Sequence, residues 1–110
     1  MKVYKFGGAS IKDYKSVKRL TRIIRKHNHD EMILIVSAMG KTTNSMEDFV
    51  LSYTKSFKNL KNKLELIKSF HKDIVKDLFT KNRQSVLKII DSVFNEIDKF
   101  LKLNKENDYN

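Results

Sequence analysis

EMILIVSAM, from Glu31 to Met39, is an almost unbroken apolar run. Strict alternation would mark a strand with one wet face. A short run without alternation, rich in isoleucine, leucine and valine, marks a strand expected to be buried on both faces, as in a parallel sheet. Upstream, KVYKF at Lys2–Phe6 has the β-branched and aromatic character of a second short strand. Between them Tyr14, Val17, Leu20 and Ile24 recur at helical spacing and predict a helix from about Asp13 to His27. Its start is marked either by Ser10 with Asp13 three residues on, or by Asp13 itself as N-cap. Strand, helix and strand make a βαβ unit, and such crossovers are nearly always right-handed. The expected class is α/β.

That topology gives meaning to the glycines. The chain has only three, and all stand just after a strand and before a helix: Gly7 and Gly8 in KFGGASIKD, and Gly40 in VSAMGKTTN. In an open parallel sheet ligands gather at the carboxyl ends of the strands. Glycine serves where backbone turns sharply or approaches a ligand closely. Amides at a glycine turn leading into a helix can cradle an anion, helped by the helix dipole, and Lys5 adds a point charge suited to phosphate. The alternative for this segment is an ordinary strand-to-helix turn. The second loop groups Ser37, Thr42, Thr43, Asn44 and Ser45. Asn44 and Ser45 are candidate helix caps, whereas Ser37 and Thr43 suit a small polar substrate facing the phosphate cradle.

Other chemistries fit less well. GKTT at Gly40–Thr43 is not a Walker A loop, because Ile35 stands where that motif needs glycine, and no GxGxxG occurs. His27, His29 and Asp30 imitate a metal cluster but offer too few convergent ligands, so no metal site is expected. His71 falls on an apolar stripe and is expected to be a packed, hydrogen-bonded residue. With no cysteine there is no disulfide framework, which suits a reducing compartment, and the cytoplasm is the expected location. No apolar run approaches bilayer length and the start MKVYKF lacks a signal-peptide core, so a soluble protein with no membrane partner is expected.

Beyond residue 45 the pattern turns helical. Met46, Phe49, Val50, Tyr53 and Phe57 form one stripe. Leu60, Leu64, Ile67, His71, Ile74 and Leu78 form a second, and Val86, Ile90, Val93, Ile97 and Phe100 a third, after a break where Asn82 can cap the new helix. The last two predict antiparallel helices joined through heptad-like seams. The net charge of +10 comes mostly from lysine. It reads as scattered over every helix among acidic residues, with the densest group, Lys12 to Lys26, a solvated face, so nucleic acid is not an expected partner. The 110 residues are thus expected to form one domain or part of one, with residues 1–45 as the βαβ unit carrying both ligand loops and 46–110 as a helical segment.

Two segments taken together carry a family resemblance: KFGGAS at Lys5–Ser10 and IVSAMGKTTN at Ile35–Asn44, about thirty residues apart. The chain resembles the N-terminal part of the aspartokinases, within the amino-acid kinase family, strongly over residues 2 to 50 and loosely beyond. The resemblance implies the first part of an amino-acid-kinase parallel-sheet sandwich. It implies phosphoryl transfer from MgATP to the β-carboxylate of L-aspartate, giving 4-phospho-L-aspartate, the first step toward lysine, threonine and methionine. Carried over by position, Lys5, Phe6, Gly7 and Gly8 would bind ATP, with Lys5 neutralising phosphate charge, and Thr43 and Ser37 would meet aspartate.

Ala9 departs from the family's threonine. Aspartokinases also continue into a substrate-binding glutamate, an arginine/aspartate segment, the nucleotide pocket and regulatory ACT domains. This chain is therefore expected to be an N-terminal piece, inactive alone. Its homo-oligomeric contacts are expected mostly outside these residues, with self-association of the piece through its uncovered surfaces as an additional route. A non-catalytic helical-hairpin interaction protein and a basic nucleic-acid binder stand as alternatives.

Overall fold

The structure, a computed structural model, describes residues 1–27, 31–55 and 59–108. It holds two strands, β1 (Lys2–Phe6) and β2 (Met32–Val36), and four α-helices: α1 (Tyr14–Lys26), α2 (Thr42–Lys55), α3 (Leu60–Leu78) and α4 (Arg83–Asp108). A short 3-10 turn, Gly8–Ile11, separates β1 from α1. The class is α/β, a βαβ unit followed by helices, as expected. The described residues divide into two compact units, one ending at Lys63 and the other beginning at Leu64.

In the first unit β1 and β2 pair in parallel, Lys2 opposite Met32 through Phe6 opposite Val36. Side chains alternate across a sheet, so Tyr4, Phe6, Met32 and Leu34 share one face. They line a crevice with Ile23, Ile24 and His27 of α1. Tyr4 stacks on Phe6 with centroids 6.5 Å apart and lies 5.8 Å from the His27 ring. The opposite face, with Val3, Lys5, Ile33 and Ile35, is exposed. β2 therefore departs from the expectation of burial on both faces: Ile33 to Val36 are 38–52% exposed. The physical reason is coverage, since β2 has one neighbouring strand and α1 on one side among the described residues.

α1 begins where Asp13 caps it. The Asp13 carboxylate accepts from the Ser16 N–H at 2.8 Å and from the Ser16 hydroxyl at 2.7 Å, satisfying a donor that the first helical turn leaves open. These two hydrogen bonds hold the Asp13 carboxyl below its ordinary value. Of the two expected starts, Asp13 is the one adopted; the Ser10 N–H instead donates to the Gly7 carbonyl at 3.0 Å inside the 3-10 turn.

Charge is less evenly shared than the sequence suggested. α1 carries Lys15, Lys18, Arg19, Arg22, Arg25 and Lys26 and no acidic residue, whereas α2, α3 and α4 mix signs. On α2 the expected stripe buries Phe49 and half-buries Met46 and Tyr53, while Val50 is exposed; Phe57 lies outside the described residues. Lys63, in the first turn of α3, is tied to α2 by an ion pair with Asp48 at 2.8 Å and a hydrogen bond to Ser52.

In the second unit Leu64, Ile67, Ile74, Val75 and Leu87 are buried. His71 is half-buried, and its Nδ1–H donates to the Ile67 carbonyl at 2.8 Å. It meets Phe70 edge-on at 5.3 Å and tilts toward Phe94 at 6.4 Å. That is the packed, hydrogen-bonded histidine expected.

The α4 stripe keeps part of the expected pattern, with Val86, Ile90 and Ile97 half-buried, and departs from it in part. Val93 and Phe100 are more than half exposed, and the side turned to α3 carries Leu87, Asp91 and Phe94. Asp91 fixes the register by accepting from Lys72 at 2.7 Å and pairing with Lys68 at 3.4 Å. The Lys72 hydrogen bond is the main cause that holds the Asp91 carboxyl below its ordinary value. Asn82 does stand at the start of α4, its carbonyl accepting from Val86 N–H at 3.2 Å, and it does so in a left-handed conformation with φ 60°. Asn59 repeats this at the start of α3, with φ 59°. Asparagine is among the few residues that enter this region readily. No helix among the described residues is long and apolar enough to cross a membrane.

Two stability measurements follow from this packing. Asp13→Ala is expected to lower the melting temperature at pH 7. Because the folded carboxyl titrates below 3.8, its ordinary value, that loss should persist down to about pH 5 and shrink as the pH falls below about 4. Leu64→Ala, at a site only 2% exposed, should cost about 2–5 kcal/mol in denaturant unfolding.

Candidate functional site

Because the strands are parallel and in register, both glycine loops leave the sheet at the same end. The ladder runs one step past the strands, with Ser37 N–H donating to the Phe6 carbonyl at 2.9 Å. Gly8 and Gly40 then meet directly: Gly40 N–H donates to the Gly8 carbonyl at 3.1 Å. A Cβ added to Gly8 would lie 2.6 Å from the Gly40 carbonyl oxygen and 3.0 Å from that of Ala38. Both obstacles are backbone, so no side chain fits there without moving the second loop. Gly40 has φ 57°, the left-handed region in which a Cβ is strained.

Gly7 behaves differently from its neighbour. Its φ of −79° and ψ of 172° suit any residue, and a Cβ there meets nothing within 4 Å. The fold therefore does not require glycine at this position, and the space beside it is open to an approaching group.

The helix behind the first loop also differs from the expectation. The glycines lead into the 3-10 turn, and the N-terminus of α1 is already occupied by the Asp13 carboxylate. The α1 dipole thus does not support an anion at Gly7 and Gly8. The second loop leads straight into α2. Thr42 N–H and the Thr42 hydroxyl both donate to the Met39 carbonyl, at 3.1 and 2.6 Å, closing the turn, and Ser45 N–H reaches the Lys41 carbonyl. Since α2 begins at Thr42, Asn44 and Ser45 lie inside its first turn rather than capping it.

The predicted site residues sort by place. Lys5 stands on β1 opposite Ile35, exposed on the uncovered face of the sheet, with no hydrogen bond or ion pair to its amine among the described residues. Ser37 and Thr43 are likewise exposed, and their hydroxyls make no hydrogen bond among the described residues. The Phe6 ring is half-buried toward α1, so what Phe6 brings to the loops is its carbonyl, which Ser37 uses. Thr43 also lines a groove of about 600 Å³ that runs along α2 past Ala38, Met46, Glu47 and Val50. The structure joins Phe6 to Ser37 and Gly8 to Gly40, and leaves Lys5 on β1 and Thr43 on α2. Thr42 was named in the second loop from sequence but given no role, which the structure shows to be closing the turn on Met39; Ala38 was missed, since nothing marks a residue that acts through its carbonyl.

His29 and Asp30 lie outside the described residues. Among those described, no three His, Cys, Asp or Glu side chains gather where a metal ion could be held. What the arrangement offers is an exposed amine on β1 and two exposed hydroxyls, on the second loop and on the first turn of α2.

The sequence model of the amino acid kinase family matches residues 1–106. No curated protein matches the chain.

Gly40→Ala is expected to cost about 1–2 kcal/mol in urea unfolding, the penalty of an L side chain in the left-handed region. Gly7→Ala should leave the unfolding midpoint unchanged.

Proposed function

Since the chain belongs to the amino acid kinase family, and is thereby of a phosphotransferase type, we propose that it is the N-terminal part of an aspartate kinase. In this reading the first loop takes the phosphates of MgATP and the second takes L-aspartate. The observation that carries it is the pairing of two glycine loops at the carboxyl ends of adjacent parallel strands, held by the Gly40–Gly8 hydrogen bond at 3.1 Å. The choice of aspartate rests on KFGGAS and IVSAMGKTTN, which resemble the aspartokinase segments.

Phosphoryl transfer needs little covalent help from a protein. Positioning and charge stabilisation supply most of the effect. One oxygen of the aspartate β-carboxylate attacks the γ-phosphorus while the bond to the bridging oxygen of ADP breaks. Negative charge grows on that bridging oxygen. Lys5, exposed and unpaired among the described residues, offers a cation for the phosphates. Open space at Gly7 lets phosphate oxygens come close to the backbone. Thr43 and Ser37 offer hydroxyls to hydrogen-bond the acceptor. The same loops predict binding without turnover by these 110 residues, because the resemblance places the substrate-binding glutamate and the arginine/aspartate segment of aspartokinases after the stretch that these residues resemble. The expected location is the cytoplasm.

Isothermal titration with magnesium tripolyphosphate, which needs the phosphate loop and not the nucleotide pocket, should detect binding that Lys5→Ala weakens roughly tenfold or more, the worth of one charge-assisted contact. Thr43→Ala should leave that affinity in place. Equal binding by wild type and Lys5→Ala would defeat the assignment of Lys5, and trapping of an aspartyl phosphate by hydroxylamine with the chain alone would defeat the claim of no turnover.

A further inference from the structure

The adjacent glycines Gly7 and Gly8 stand in different surroundings, one open and the other closed by backbone. We infer that Gly8 is a positioning residue, which acts by locking the second loop against the first and so fixes where Thr43 stands. This deepens, and rests on, the assignment of the two loops to nucleotide and acceptor.

Three links connect Gly8 to Thr43. The first is steric. Gly8 presses its α-carbon so close to the Gly40 and Ala38 carbonyls that a Cβ would sit 2.6 and 3.0 Å from their oxygens. Real Cβ atoms essentially never make a contact as short as the first and seldom one as short as the second, and a backbone carbonyl has no rotamer by which to yield. The second is a hydrogen bond, Gly40 N–H to Gly8 carbonyl at 3.1 Å, which holds the loops together as well as excluding bulk between them. The third is the turn that follows. Gly40 at φ 57° reverses the chain, and Thr42 clamps Met39 through both its amide and its hydroxyl. Thr43 is the next residue, in the first turn of α2. Few torsions are left free between Gly8 and the Thr43 backbone.

The consequence concerns the acceptor more than the nucleotide. Transfer rates depend steeply on the placement of reacting groups, and a shift of about 1 Å can cost about a hundredfold. A residue at position 8 with any side chain would push the second loop outward and move Thr43 with it. Gly7 supplies the internal contrast. A side chain there meets nothing in the protein, so Gly7→Ala should leave the second loop in place.

Amide hydrogen exchange and 15N–1H spectra of the whole chain test this. Without ligand, the Gly40 amide should exchange at least about tenfold more slowly than an open loop amide, as a hydrogen-bonded donor does. Gly8→Ala should abolish that protection and move the Gly40, Thr42 and Thr43 resonances, while His71 and its neighbours in the second unit stay in place. Gly7→Ala should leave the Gly40 and Thr43 resonances where they are. A merely structural role for Gly8 would spread the changes across both units, and that outcome overturns the inference. So does a Gly40 amide that exchanges freely in the unaltered chain, a measurement that decides the matter even if Gly8→Ala fails to fold. Failure of magnesium tripolyphosphate to bind the unaltered chain would instead overturn the proposed phosphate loop, with the ligand-free Gly40 data still deciding whether the loops are locked.

Discussion

The parallel register of β1 and β2 is the constraint from which the rest of the first unit follows. Five facing pairs, Lys2 with Met32 through Phe6 with Val36, end both strands at the same level. Had the strands been antiparallel, the glycine loops would lie at opposite ends of the sheet. Had the register slipped by one residue, the face turned toward α1 would have exchanged with the open one. Parallel pairing also demands a crossover, and α1 supplies it while covering Tyr4, Phe6, Met32 and Leu34. The close approach of Gly8 to Gly40 is the far end of the same register.

Much of this was legible in the residues. The apolar run from Glu31 and the short strand before it announced a parallel pair. Asp13 announced the start of α1, and the periodicity of α3 placed His71 in a packed stripe. What was not legible depended on contacts between distant segments. Glycine shows that a position needs freedom or space, but not which of the two, so Gly7 and Gly8 look alike in sequence although only Gly8 is hemmed in by backbone. The 3-10 turn has no strong sequence signal, and by inserting four residues it passes the role of helix-bearing loop from the first glycine segment to the second. The register of α4 was ambiguous because Val86, Val93 and Phe100 and the neighbouring Leu87, Phe94 and Leu101 both repeat every seven residues. Asp91 settles it, through two lysines one turn apart on α3.

The electrostatic picture is one of segregation. α1 contributes six basic side chains without an acidic one, and its first turn would be poorly supplied with negative charge but for Asp13. In the second unit Lys68 and Lys72 share Asp91. Such partly exposed pairs add little net stability and are screened by salt; their value here is in choosing which side of α4 faces α3.

The exposed β2 strand, MILIV, has a bearing on how the protein survives at high concentration. It is short, rich in β-formers, uncharged and free of proline, the composition from which cross-β aggregates grow. In a sheet with two strands among the described residues, little covers its outer edge. The chain's net charge of +10 then acts as a colloidal safeguard, since like-charged molecules repel before their edges can meet. That safeguard weakens with ionic strength, as the screening length contracts to about 8 Å at physiological salt. The strand that places the second glycine loop is thus also the segment whose solubility draws on the net charge of the chain.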